Sequence, residues 1–130
     1  MTKRTRIDPG WAWDDHLILS QAIKVGNAVY TSGQVALDPA GEVVGKGDMR
    51  AQTRQVFENI KTVLAAAGSS LGDIVKITVF TTDISRLGET HEVRAEVLPD
   101  PPPASTAVEI KALAFPDLLI EIEAVAVVGE

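Results

Sequence analysis

Two glutamates at alternate positions in an apolar stretch are the residues whose placement most suggests chemistry. Glu121 and Glu123 lie in the segment 120–127, where all the remaining residues are Ile, Ala or Val. Alternate residues of a β-strand point to the same face, so the two carboxylates share one face. A carboxyl group in a partly apolar cleft has a raised pKa and can act as a general base near neutral pH. The pattern therefore predicts a carboxylate that handles protons.

An ordinary structural role would also explain these glutamates. Carboxylates are uncommon in strands and costly to bury unpaired, so each needs solvent or a partner. A cross-strand ion pair with Lys111 would supply a partner. Because Glu109 competes for the same lysine, we expect at least one of the carboxylates to stay free.

Two basic residues interrupt the apolar stripe of a predicted helix. At about 100° per residue, His91 and Arg94 fall on the same side as Leu87 and Leu98. In one interpretation both lie near a subunit edge or extend outward along their apolar stems. In the other they form a cationic wall for a carboxylate, since an arginine fork is the usual partner of a planar anion. The sequence leaves both interpretations open.

The motif Thr31-Ser32-Gly33-Gln34 closes a predicted hairpin and offers groups that could contact a ligand. Glycine lets a ligand approach the backbone, while Ser and Gln side chains can form hydrogen bonds to it. The same cluster is also typical of a strand that simply ends. Neither a Walker loop nor a GxGxxG motif is present, so both nucleotide fingerprints are missing.

The elements that must position these groups alternate between strands and helices. Asp48 is a good N-cap and Gly68 a good C′ residue for a long helix. The predicted strands cover 20–25, 28–32, 74–82, 105–110 and 120–127, and a second helix covers 85–98. In the third strand Val75, Ile77 and Val79 are expected to share one face. The order β-β-α-β-α-β-β predicts an α+β fold, a two-layer sandwich with two helices on one face of a mixed sheet.

The length of 130 residues predicts a single domain, 1–130, with an irregular N-terminal segment, 1–16. Trp11 and Trp13 in this segment either pin it onto the body of the protein or wall a pocket. Aromatic area is mostly used for packing, so we favour the first role.

Composition narrows the function classes. The net charge is -6 and the pI is about 4.9, which opposes a nucleic-acid partner. The absence of cysteine excludes disulfides and thiol chemistry, and two histidines without metal-site spacing predict no metal. No apolar run is long enough to cross a membrane, and none follows the basic start Lys3-Arg4-Thr5-Arg6. We therefore expect neither membrane association nor a signal peptide, and a cytoplasmic protein.

Several motifs together resemble the RidA/YjgF superfamily from Ser20 onward. The residues that carry the resemblance are Gly26-Asn27, Thr31-Ser32-Gly33-Gln34, Ala65-Ala66-Ala67-Gly68, the segment 73–80, Asp83, the segment 103–110 and the segment 120–127. The resemblance implies a chorismate-mutase-like α+β fold and a homotrimer with ligand clefts between subunits. It also implies hydrolysis of reactive enamines and imines to 2-keto acids and ammonia, without a metal or organic cofactor.

The resemblance assigns roles to individual residues and reveals departures. The carboxylate that orients or activates water corresponds to Glu121, and the cleft wall to Ser32 and Gly33. Ser105 stands where the family has an arginine that binds the substrate carboxylate. Loss of such a charge-assisted contact costs about 1.5–3 kcal/mol. In addition, Leu19 replaces a tyrosine, while His91 and Arg94 replace an asparagine and a tyrosine.

Two functions remain open at this level. In the first, the protein is a deaminase-like hydrolase of a different enamine, imine or related carbonyl-derived metabolite, with Arg94 or His91 supplying the missing positive charge. In the second, it is a non-catalytic trimer that binds a small ligand. We favour the hydrolase. Some members of the superfamily are described as ribonucleases, a function that the acidic composition disfavours here.

Overall fold

The computed structural model describes residues 3–16 and 18–129 and confirms the α+β fold. Two helices pack on one face of a mixed, mostly antiparallel sheet. The strands are β1 (Arg4–Ile7), β2 (Ala22–Val25), β3 (Ala28–Thr31), β4 (Gln34–Val35), β5 (Ile74–Thr81), β6 (Ala104–Glu109) and β7 (Ile120–Val127). The helices are α1 (Met49–Ala66) and α2 (Leu87–Val97).

The strand order places the last strand at the centre of the sheet. The order is β1-β2-β3-β7-β5-β6, and the short β4 also pairs with β7. Every pair is antiparallel except β5 and β6. Parallel neighbours need a crossover, and α2 with the proline-rich segment after it supplies that connection. β6 forms one edge of the sheet and pairs only with β5.

Helix α1 begins and ends where its capping residues predict. The Ala51 amide donates to Asp48 Oδ1 at 3.0 Å, and Gly68 adopts a φ of +76° after the last turn. Its apolar side is fully buried against the sheet and includes Val56, Phe57, Ile60, Val63 and Leu64. This helix is the scaffold on which β7 packs.

The N-terminal segment is more ordered than expected. Residues 4–7 form β1, which pairs with β2, and residues 12–16 form a 3-10 turn. Residues 1 and 2 lie outside the described residues. The interpretation of 1–16 as irregular is therefore wrong over these residues. A four-residue edge strand with only Ile7 buried leaves no readable pattern.

The predicted face of β5 is correct except at its start. Ile77 and Val79 are fully buried, but the Val75 side chain is about half exposed, at 47%. The register shifts between Ile74 and Lys76, which marks a β-bulge. A bulge adds one residue and reverses the side-chain parity, so Ile74 takes the buried place expected for Val75.

The helices do not suit a membrane. Neither helix within the described residues is both long enough and apolar enough to cross a bilayer.

Candidate functional site

A cleft of about 430 Å³ lies where β3, β4 and β7 meet. It brings together four of the predicted site residues, Leu19, Ser32, Gly33 and Glu121. Its other lining residues are Trp13, Gln21, Gln34, Val35, Leu37, Gly41, Asn59, Ala114 and Phe115. Among the lining residues that the structure describes, Glu121 is the only charged one.

A break between β3 and β4 shapes the cleft wall. Both strands pair with β7, but the register advances by one residue between them, so Ser32 and Gly33 form a bulge. The Thr31 hydroxyl accepts a hydrogen bond from the Ala124 amide at 3.0 Å beside the bulge. Bulges redirect side chains and are common next to functional sites. Here the bulge brings Gly33 against the Glu121 side chain of β7.

Because Gly33 has no side chain, it leaves the space that the Glu121 carboxylate occupies. A Cβ atom built on Gly33 would lie 2.6 Å from Glu121 Cδ, so a larger residue would displace the carboxylate. The φ angle of Gly33 is outside the left-handed region, so glycine is needed for space and not for backbone conformation. The sequence predicts that a ligand approaches the backbone at Gly33, and this stays a prediction; the group that lies against Gly33 here is the Glu121 side chain.

The surroundings of Glu121 favour its protonated form. Val35 and Phe80 are its cross-strand neighbours in β4 and β5. Partial burial raises the pKa of Glu121, and the negative charge of Glu123 adds to that rise. Within residues 3–16 and 18–129, Glu121 has neither a hydrogen bond nor an ion pair from a side chain. Glu123 is exposed, so the two carboxylates share parity but not environment.

The expected competition for Lys111 does not occur. Glu109 accepts a hydrogen bond from the Ile84 amide at 3.0 Å, at the start of the turn before α2. Lys111 is exposed and forms no ion pair in the described part of the chain.

A buried chain of polar side chains supports the cleft floor. Gln21 Nε2 donates to Asp14 Oδ1 at 2.8 Å, and Gln34 Nε2 donates to Gln21 Oε1 at 2.7 Å. Gln34 Nε2 also donates to the Ser32 carbonyl at 3.3 Å. Because a carboxylate only accepts hydrogen bonds, Asp14 fixes the orientation of both amides. The chain thereby ties the N-terminal segment to the bulge.

Helix α1 holds the wall on the other side. Asn59 Nδ2 donates to the carbonyls of Val35 and Leu37 at 2.9 and 2.8 Å. Gln52 Nε2 donates to the Asp117 carbonyl at 2.8 Å, in the loop that carries the lining residue Phe115. The two amides position the backbone of the cleft from the core.

The tryptophans take both of the roles considered for them. Trp11 is buried in the core, and its ring stacks on Trp13 with a centroid distance of 5.3 Å. Trp13 lines the cleft, so the preference for packing alone is wrong for this residue. Gly41, which has a positive φ, lies under the Trp13 ring. The signal for this contact was the turn Asp38-Pro39-Ala40-Gly41, whose small residue leaves room for a ring.

His91 and Arg94 line a different cavity. It measures about 400 Å³ and lies between the end of α2 and the segment 98–102. Burial lowers the pKa of Arg94, which has no ion pair with any described residue. No residue lines both this cavity and the cleft. Ser105 is exposed on the edge strand β6 and lines neither. Within one chain, none of the described lining residues brings a cation to Glu121.

Metal ligands do not converge in this chain. Among the described residues, no group of three His, Asp or Glu side chains could hold a metal ion.

Known proteins resemble this chain over most of its length. The family model described as endoribonuclease L-PSP matches residues 16–128. A RutC family protein of Pyrococcus horikoshii is 51% identical over 108 residues, which cover 82% of this chain and 84% of that protein. The 3-aminoacrylate deaminase RutC of Acinetobacter baylyi is 43% identical over 105 residues, which cover 81% of this chain and 82% of that protein.

The fold is similar to solved structures as well. The crystal structure of RidA from the Antarctic bacterium Psychrobacter sp. has a TM-score of 0.87 at 41% identity and covers 95% of this chain and 99% of that chain. The bulge residues and Glu121 lie inside the segment that the family model matches, whereas Trp13 precedes it. By sequence and by fold, the chain belongs to the endoribonuclease L-PSP family, which includes the RidA and RutC proteins.

Proposed function

We propose that this protein is a cofactor-independent hydrolase that deaminates a small imine or enamine. The observation that carries the proposal is Glu121, a partly buried carboxylate held against Gly33 in an apolar cleft with a raised pKa. A base of this kind can take a proton from water near neutral pH. A relative at 43% identity is named as a 3-aminoacrylate deaminase, which supports the same class of reaction.

The reaction follows from the position of the carboxylate. Glu121 accepts a proton from a water whose oxygen forms a bond to the iminium carbon, and the C=N π electrons move to nitrogen. Protonated Glu121 then returns the proton to the nitrogen of the resulting carbinolamine. The C–N bond breaks as the hydroxyl proton passes to Glu121, which releases a carbonyl compound and ammonia. Protonated Glu121 then gives its proton to the ammonia, which leaves as ammonium. The sum is iminium plus water giving carbonyl plus ammonium.

The active form is proposed to be a homotrimer with a cleft at each subunit boundary. The sheet face opposite the helices carries the exposed side chains Tyr30, Val108 and Val127. Leu19 and Phe115 at the cleft are also exposed, at 44% and 47%. A sheet normally buries its apolar faces against another layer, so a second copy would complete this one.

The substrate is proposed to differ from the 2-imino acids that the family resemblance suggests. Ser105 occupies the position of the carboxylate-binding arginine, and it lies outside the cleft of its own chain. We therefore expect little hydrolysis of 2-aminoacrylate or 2-iminopropanoate. A ribonuclease function has less support, because a net charge of -6 opposes RNA binding.

The proposal is tested with imines generated in situ. Serine dehydratase supplies 2-aminoacrylate, and a flavin amine oxidase supplies imines without a carboxylate. Semicarbazide captures the imine that the protein does not hydrolyse, so an active protein lowers the semicarbazone yield. We expect hydrolysis of at least one imine, loss of that activity in Glu121→Gln, and little effect on 2-aminoacrylate compared with an arginine-containing relative.

The same experiment separates the second function. If no imine or enamine is hydrolysed faster than in buffer, while a small ligand still binds, the protein is a binding trimer and Glu121 has no catalytic role.

A further inference from the structure

The polar side chains around Glu121 direct their hydrogens away from the cleft. The Ser32 hydroxyl donates to the Ser20 carbonyl at 2.6 Å. Gln34 uses its amide nitrogen for Gln21 and Ser32, and its amide oxygen accepts no hydrogen bond from the described residues. The amide nitrogen of Asn59 is bound twice to backbone carbonyls. The Gln34 amide oxygen is thus a free acceptor in the described lining, whereas the amide oxygen of Asn59 accepts from Gln55 at 2.9 Å.

Glu121 is the charged residue of the described lining, and further charges lie outside it. Glu123 follows on the same strand and raises the pKa of Glu121. The buried Asp14 lies behind Gln21. Arg6 donates to the Leu19 carbonyl at 3.3 Å, but it does not line the cleft. Because the described lining carries one carboxylate and no cation, it attracts positive ligands and repels anions.

The rest of the lining is apolar. Trp13, Leu37, Ala114 and Phe115 contribute most of the wall, and Leu19 stands at its exposed rim. The Trp13 Nε1 atom is enclosed and has no partner within residues 3–16 and 18–129, so stacking on Trp11 holds this ring. Apolar walls of this kind bind hydrocarbon groups, and their specificity comes from the few polar groups placed among them.

From these observations we infer that the substrate is a protonated imine carrying an apolar group and no carboxylate. This inference rests on the proposed function and names its substrate class. The iminium N–H groups donate to Glu121 and Gln34, and the hydrocarbon group packs against Trp13 and Phe115. A substrate carboxylate would enter beside the Glu121 carboxylate, and no cation among the described lining residues would offset the cost of losing its water. The class of reaction that supplies such an imine is the oxidation of an apolar primary amine.

Binding of three matched probes tests the inference. The probes share one hydrocarbon group. Isobutylammonium carries an ammonium, isobutyrate carries a carboxylate, and valine carries both charges. Both tryptophans of the chain belong to the stack at the cleft, so their fluorescence reports binding, and calorimetry provides a second readout. We expect isobutylammonium to bind about tenfold more tightly than valine, and isobutyrate not to bind.

Variants show whether the carboxylate is responsible. Glu121→Gln removes the charge but keeps the shape, and it should weaken isobutylammonium about tenfold. Glu123→Gln is the matched control, with the same change two residues along β7, and should leave the affinity within about twofold.

Two outcomes would overturn the inference. Valine or isobutyrate could bind as tightly as isobutylammonium. If Arg94→Ala then removes that binding, the carboxylate is held by Arg94 of a neighbouring copy. Absence of binding by every probe at about 10 mM would equally contradict it. Turnover is measured separately, so a missing hydrolase activity with an intact preference for the amine would remove the proposed function and leave the binding class in place.

Discussion

Glu121 is a carboxylate that the fold keeps partly out of water, and the described residues that line its cleft include no cation. Its neighbour Glu123 has the same strand parity but projects into solvent. The pair therefore allows an internal comparison. The same substitution removes one negative charge at either position, but only at Glu121 does it remove a base from the cleft.

The first prediction concerns these two residues. Glu121→Gln keeps the hydrogen-bonding shape and removes basicity, so the turnover number for a hydrolysed imine should fall about 100-fold or more. Glu123→Gln should change it less than twofold or so. Steady-state kinetics on both variants checks this. Equal losses in both variants, or none in Glu121→Gln, would mean that Glu121 is structural.

The raised pKa of Glu121 also predicts a dependence of stability on pH. A carboxyl group whose pKa is higher in the folded protein favours folding below its unfolded pKa. This contribution is lost as the pH rises through the folded pKa. Glu121→Gln should therefore raise the melting temperature at about pH 8 and have little effect at about pH 4. Thermal unfolding monitored by circular dichroism checks the sign. A lower melting temperature for the variant at pH 8 would contradict the burial argument.

At the scale of elements, the bulge between β3 and β4 places Gly33 against Glu121. Gly33→Ala should preserve the fold, because its backbone conformation is accessible to alanine and the overlap is with a movable side chain. Because the added methyl group displaces the Glu121 carboxylate, the turnover number of the variant should fall about 10- to 100-fold. Kinetics and thermal unfolding of the same sample check both halves of this prediction.

Gly88→Ala is the control for that substitution. A Cβ atom at Gly88 would meet nothing within 4 Å, and the residue lies in α2, where alanine is favoured. It should leave turnover unchanged. A Gly33→Ala protein with normal turnover would show that the contact does not set the position of the base.

The limits of the sequence are clearest at these elements. Asp48 and Gly68 bound α1 as predicted, because capping depends on residues close together in the chain. The shared face of Glu121 and Glu123 follows from strand parity alone. The contact between Gly33 and Glu121 depends on the register of two distant strands, which no local pattern encodes. The sequence left Trp13 either packing on the body of the protein or walling a pocket, and only the stack on Trp11 and the contact with Gly41 decide for the wall.

At the scale of the whole molecule, one sheet face has no covering layer. We predict a trimer, with a mass by light scattering of three times 13.8 kDa at micromolar concentration. Tyr30→Asp puts a charge in the middle of the uncovered face and should lower the mass. Ala65→Asp adds the same charge on the exposed side of α1 and should not. A monomeric wild-type protein would contradict the prediction.

The central place of β7 has a consequence for how the protein is made. A ribosome releases β7 after every strand that it pairs with, so the emerging polypeptide first contains two sheet fragments that cannot join. One fragment is β1-β2-β3 and the other is β5-β6, each with an open edge that could pair with another molecule. Pairing between distant segments is slow. We therefore expect the nascent chain to depend on chaperones until β7 emerges, and Glu121 to meet Gly33 only in that last step.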